Sequence, residues 1–102
     1  MITHIVMWKL REEAEGRGKD ENFGIIREKL EALLSVIPEL KSIHVYRNIN
    51  PTDKNSDVVL VTTFDSLEDL NVYATHPEHV KAGEFIASVV SARSAIDYQD
   101  HI

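Results

Sequence analysis

The chain has 102 residues, no cysteine, and 17 acidic against 11 basic side chains, for a formal charge of −6. That length is one domain with a thin core, because a chain of this size buries only about 60–70% of the surface its unfolded form exposes. The acidic balance speaks against nucleic acid and anionic membranes as partners, and the missing cysteines exclude disulfides, thiolate metal sites and cysteine nucleophiles.

Hydrophobic residues make up 43% and charged residues 27%, the composition of an ordered globular domain. No apolar run approaches the roughly 20 residues of a membrane helix. Residues 1–10 are apolar but carry no basic leader and no small-residue cleavage site, so they are not expected to be a signal peptide. A cytoplasmic location is the expectation.

Residues 2–10 (ITHIVMWKL) predict a strand. Alternation puts His4, Val6, Trp8 and Leu10 on one face and Thr3, Ile5, Met7 and Lys9 on the other. Both faces are largely apolar, so both should be covered. Residues 11–20 (REEAEGRGKD) read as a solvated loop. Over 21–37, Phe23, Ile26, Leu30, Leu33, Leu34 and Ile37 recur at steps of three and four, which predicts a helix ended by Pro38. Residues 41–49 and 57–64 predict two strands separated by the turn formers of 50–56. Ser66, with Asp69 three residues on, caps a helix whose apolar edge is Leu67, Leu70 and Ala74. His76-Pro77 interrupts it, and a further helix restarts at Pro77 with Val80, Gly83, Ile86, Val89 and Val90. Residues 93–100 predict a last strand with Ile96 and Tyr98 on one face.

The order β-α-β-β-α-β, with a broken second helix, predicts an α+β fold. It is a ferredoxin-like split β-α-β unit, a four-stranded antiparallel sheet with helices on one face, as a single domain over 1–102. The other sheet face, with Ile5, Met7, Val59 and Val61, is then bare and apolar. Such a patch marks an interface, and a two-fold homodimer packed sheet to sheet would cover it.

Chemistry rests on the histidines, which are His4, His44, His76, His79 and His101. Histidine is the natural proton carrier near neutral pH. His4 shares its strand face with Val6 and Trp8 and points at the helices. Tyr73 sits one turn before the helix break and His79 just after it. A strand histidine facing a helix-borne tyrosine and histidine encloses a small pocket with two proton carriers and a phenol. These groups can deprotonate a carbon or hydroxyl, orient a carbonyl and return a proton without a cofactor. The same residues also admit a structural reading, with His4 satisfied in the core, His76 capping the following helix and Tyr73 serving only to pack. His76 and His79 have a spacing compatible with two metal ligands, but no third ligand is evident, and no metal site is expected. No phosphate loop, nucleophile elbow or dinucleotide fingerprint occurs, so no cofactor is expected.

The opening HIVMWKL (residues 4–10) resembles the start of the stress-responsive dimeric α/β-barrel (Dabb) proteins, and YATHPEHV (residues 73–80) resembles their Y-x-x-H-P-x-H stretch. Ile96-Asp97-Tyr98 is similar to their last strand. The resemblance implies a ferredoxin-like protomer and a homodimer whose two sheets form a barrel. It also implies an architecture related to cofactor-free monooxygenases and muconolactone isomerases. Plant members include polyketide cyclases. Carried over by position, the resemblance makes His79 the general base, His4 an orienter or second proton carrier, and Tyr73 a hydrogen-bond partner of the substrate. Trp8, Leu30, Leu60 and His76 are expected to contact substrate. The cyclases carry a pocket-facing tyrosine on the first helix. Residues 21–37 have none, and Leu30 lies near that register, so a more apolar pocket is expected.

Three functions fit. The first is a homodimer that binds a small apolar carbonyl or phenolic molecule and turns it over by cofactor-free acid/base chemistry of the cyclase or isomerase kind. The second is a non-catalytic stress-related binding or structural protein, and the third is a cofactor-free monooxygenase. The dimer is directly testable. Multi-angle light scattering at micromolar concentration should give twice the 11.6 kDa chain mass, and a stable monomer would refute it.

Overall fold

The computed structural model describes residues 1–100, so His101 lies outside the described residues. β1 (Ile2–Leu10) runs through the sheet interior. It pairs antiparallel with β5 (Val58–Phe64) on one edge and with β6 (Val90–Gln99) on the other. β4 (Ser42–Arg47) pairs with β5, giving the order β4-β5-β1-β6. This is the ferredoxin-like sheet expected from the element order.

Alternation along β1 works as the pattern predicts. Ile2, Val6, Trp8 and Leu10 are buried toward the helices, and His4 is half-buried among them. On the other face Ile5 sits between Val61 and Ile96, and Met7 lies beside Val59, which in turn faces Tyr46. That face is open in the single chain, with Met7 at 41%, Tyr46 at 55% and Ile96 at 59% of full exposure. The apolar stripe therefore runs across all four strands.

The segment 11–20, expected as a loop, instead contains a short hairpin, β2 (Glu13–Ala14) and β3 (Arg17–Gly18). Glu15 and Gly16 at its tip both have positive φ, 53° and 75°. That is the turn geometry whose twist suits a two-residue hairpin. What holds it is Asn22, fully buried, whose side-chain amide donates to the carbonyls of Ala14 (3.1 Å) and Arg17 (3.2 Å). A charged segment thus gains order from a polar residue on the following helix.

The first helix also departs from expectation. α1 (Lys19–Glu31) gives way to a 3-10 turn at Ala32–Ser35. Tightening to three residues per turn aligns Leu33 with Leu30 and swings the next residue outward. Leu33 and Ile37 are accordingly buried, while Leu34 is 47% exposed. α2 (Leu67–Thr75) is capped as predicted, with Ser66 Oγ accepting the Asp69 N–H at 3.1 Å. His76 is extended between α2 and α3 (Pro77–Val89), closing the first and opening the second. Val80, expected on the apolar stripe of α3, is exposed; Ala82, Ile86 and Val89 are its buried residues. β6 follows α3 without a loop and starts at Val90, before the expected residue 93. Among the described residues, no helix is long and apolar enough to cross a membrane.

Replacing Asn22 by alanine removes both hairpin clamps from a fully buried site. Urea unfolding should show a loss of about 1–3 kcal/mol. Amide exchange should rise first in residues 13–18.

Candidate active site

Between the inner sheet face and the helices lies a cavity of about 350 Å³. That volume lies within the range of small-molecule sites. Its walls follow from the alternation just described. β1 contributes His4, Val6 and Trp8, β5 contributes Leu60, and α1 contributes Leu30. Leu70 and Tyr73 come from α2, and His79, Gly83 and Ile86 from α3. β6 closes the side with Arg93 and Asp97.

The structure therefore brings His4, Tyr73 and His79 to one cavity, along with Trp8, Leu30 and Leu60. It does not bring His76. That side chain turns back to cap α3, with Nδ1 accepting the Glu78 N–H at 3.1 Å. The expectation of His76 as a substrate contact is corrected accordingly. The residue before a proline is held extended, and a ring there reaches the free N–H groups of the next helix more readily than the sheet.

Tyr73 is completely buried, its ring held between Phe64 (centroids 5.1 Å apart) and His79 (4.4 Å). Its hydroxyl has no hydrogen-bond partner among the described residues. Burial pushes the phenol far above its ordinary pKa. It stays protonated at neutral pH and serves as a hydrogen-bond donor or acceptor.

His79 Nδ1 lies 3.0 Å from the Ala74 carbonyl. A carbonyl only accepts, so Nδ1 carries the proton, and in the neutral ring Nε2 keeps its lone pair. Burial lowers the pKa of His79 below 6.5; the Ala74 bond opposes this, while the charges of His4, Arg93 and His76 add to it. The ring is therefore neutral at pH 7, with one nitrogen tied to the backbone and the other basic.

His4 lies directly across from Asp97 in the β1–β6 register, and its Nδ1 hydrogen-bonds to the Asp97 carboxylate. The carboxylate accepts from Nδ1 and fixes the ring, leaving Nε2 outside that bond. Thr62, fully buried, donates its hydroxyl to the His4 carbonyl at 3.2 Å and steadies the same segment.

Several lining residues were given no site role from the sequence, and Asp97, Arg93 and Gly83 matter most among them. Asp97 and Arg93 lie on the face of the last strand opposite Ile96 and Tyr98, so alternation points them inward. Their partners emerge only from the strand register. Gly83 faces the cavity with open space where a Cβ would stand. Among the described residues, no group of three or more histidine, cysteine or acidic side chains is placed to hold a metal.

Residues 2–100 match the stress-responsive A/B barrel domain, Dabb. The chain belongs to that family. Olivetolic acid cyclase of Cannabis sativa is 24% identical to this Dabb chain over 99 residues, covering 95% of the chain and 94% of the cyclase. The Arabidopsis thaliana stress-response A/B barrel domain-containing protein DABB1 is 27% identical over 103 residues. That match covers 96% of this chain but only 46% of the Arabidopsis protein, so the chain spans about half of that relative's length. Among solved structures, a dimeric protein of unknown function and ferredoxin-like fold from Bacteroides fragilis superposes with a TM-score of 0.83 at 35% identity. It covers 97% of this chain and 95% of its own.

The lowered pKa of His79 has a definite sign. The unfolded chain takes up a proton on this ring near pH 6.5, and the folded chain only below that. Its stabilising contribution is complete above about pH 6.5 and is lost as the pH falls through the lowered value. NMR titration of His79 should give a midpoint below 6.5. The His79→Gln variant should lose less stability than wild type between about pH 6.5 and pH 5.

Proposed function

We propose that this Dabb protein is a cofactor-free acid/base enzyme that works as a homodimer in the cytoplasm. It binds a small apolar carbonyl or phenolic compound between sheet and helices. The observation that carries this reading is the fully buried Tyr73 hydroxyl, without a hydrogen-bond partner among the described residues, on a ring packed against that of a neutral His79, both residues lining one largely apolar cavity. A buried hydroxyl without a partner costs about 1–3 kcal/mol, and a substrate oxygen beside it relieves that cost.

The chemistry follows from the proton positions. A carbon acid next to a carbonyl gives its proton to His79 Nε2, because Nδ1 is committed to Ala74. Negative charge collects on the carbonyl oxygen, where the Tyr73 hydroxyl donates a hydrogen bond. The enolate attacks an internal electrophilic carbonyl in a cyclase-like reaction or is reprotonated elsewhere in an isomerase-like one. The proton returns from His79 or through His4 Nε2, steadied by Asp97. No redox step and no cofactor are required. The likeness to olivetolic acid cyclase over nearly the whole of both chains supports a reaction of this class.

The dimer is supported by the apolar stripe of Ile5, Met7, Val59 and Val61, and by the related B. fragilis protein, which is described as dimeric. Pairing sheet to sheet buries the stripe and leaves the helix side free for the cavity.

A direct test is exchange of the α-protons of 4-hydroxyphenylacetone into D2O, followed by NMR. His79→Ala should slow protein-catalysed exchange by about 10²–10⁴-fold, and Tyr73→Phe should slow it to a lesser degree. Gly83→Leu should abolish it by filling the cavity while the fold persists, since the added side chain enters open space. Exchange indifferent to His79→Ala would end the proposal.

A further inference from the structure

The cavity is chemically uneven from end to end. Two formally charged side chains other than histidine line it, Asp97 and Arg93. Asp97 is engaged by His4. Arg93 has no carboxylate within ion-pairing distance among the described residues. Both stand on the helix-facing side of β6, Asp97 opposite His4 and Arg93 opposite Trp8. Four residues of extended chain separate them, about 13 Å at the usual strand rise. One end of the cavity thus holds the His4–Asp97 pair, and the other holds an uncompensated guanidinium beside Trp8.

We propose that the ligand is an organic anion. It is an apolar carbonyl or phenolic molecule that carries a carboxylate, which Arg93 binds while the reacting oxygen lies near Tyr73 and His79. This rests on the small-molecule reading of the same cavity and names the class of molecule it takes.

Three physical points support it. Arg93 is exposed in the single chain, so its charge keeps its water and no desolvation penalty is carried while the site waits for ligand. Its planar fork matches a carboxylate with two parallel hydrogen bonds, which a solvated point charge does not. Apart from Tyr73 and His79, the rest of the wall is apolar, with Val6, Ile86, Ala87 and Val90 among its residues. A neutral ligand would leave Arg93 without any gain, whereas a carboxylate adds a directional anchor that fixes which end of the molecule meets His79. The positive charge of Arg93 is also among the influences, after burial itself, that hold the His79 pKa down. Both residues line the one cavity.

Trp8 provides a site-specific readout, because it is the chain's single tryptophan, lines the cavity and faces Arg93 across the strand pair. Its fluorescence is followed while the protein is titrated with 4-phenylbutyrate or with 4-phenylbutan-1-ol, which share an aromatic body and differ in the carboxylate. The acid should bind wild type at least tenfold more tightly than the alcohol. Arg93→Gln should remove that preference while changing alcohol affinity less than twofold, and Arg93→Lys should restore part of it. If the alcohol saturates the Trp8 signal but the acid has no advantage, or if its advantage survives Arg93→Gln, the anion assignment is wrong and the cavity reading stands. If neither probe reaches Trp8, or if Gly83→Leu leaves both affinities unchanged, the cavity reading falls and the anion assignment with it.

Discussion

β1 is hydrogen-bonded along both edges and apolar on both faces, and the rest of the molecule answers to that constraint. A strand in that position needs a partner on each side and a cover above and below. β5 and β6 supply the partners. The helices supply one cover, burying Val6, Trp8 and Leu10 against Ile26, Leu30 and Ile86. The second cover is not made by the described residues, among which the stripe through Ile5, Met7 and Ile96 stays open. A thin domain that places its helices on one face gains room for a cavity on that face, provided that burial on the other face comes from elsewhere.

The same burial serves the site in two opposite directions. Low polarity disfavours charge on whichever group it surrounds. It lowers the pKa of His79, a base, and raises that of Tyr73, an acid. Both are therefore neutral at pH 7. A neutral imidazole with its Nδ1 proton tied to a carbonyl is a competent base at Nε2. A neutral phenol is a competent donor to a developing oxyanion. The third polar group is handled differently, since His4 is oriented by the Asp97 carboxylate across a strand pair. Backbone fixes one histidine and a side chain fixes the other, so the two rings present defined nitrogens.

The elements with strong local signals were legible in the sequence. Strand alternation in 2–10 assigned His4 and Trp8 to the helix side. Ser66 announced α2, and Pro77 announced α3. Errors fell where a tertiary contact overrode the local pattern. Leu34 fitted the helical stripe, yet the change to a 3-10 turn expelled it. The charged run 11–20 carried no core signal, yet Asn22 tied it into a hairpin. His76 admitted both a helix cap and a substrate contact, and the extended backbone before Pro77 turned its ring to the helix N-terminus.

Local periodicity and breakers in the sequence by themselves determined the order of the four main strands and their helices, the two faces of β1 and the presence of His4, Tyr73 and His79 near the broken helix. These are properties of neighbours along the chain, and steric and hydrophobic preferences act at that range. Only the tertiary structure decided that Asp97 pairs with His4, that Arg93 stands beside Trp8 and that Gly83 leaves its space open. Each depends on strand register or helix placement between residues far apart in the chain. A shift of one residue in the β1–β6 pairing would turn Asp97 and Arg93 to the opposite face.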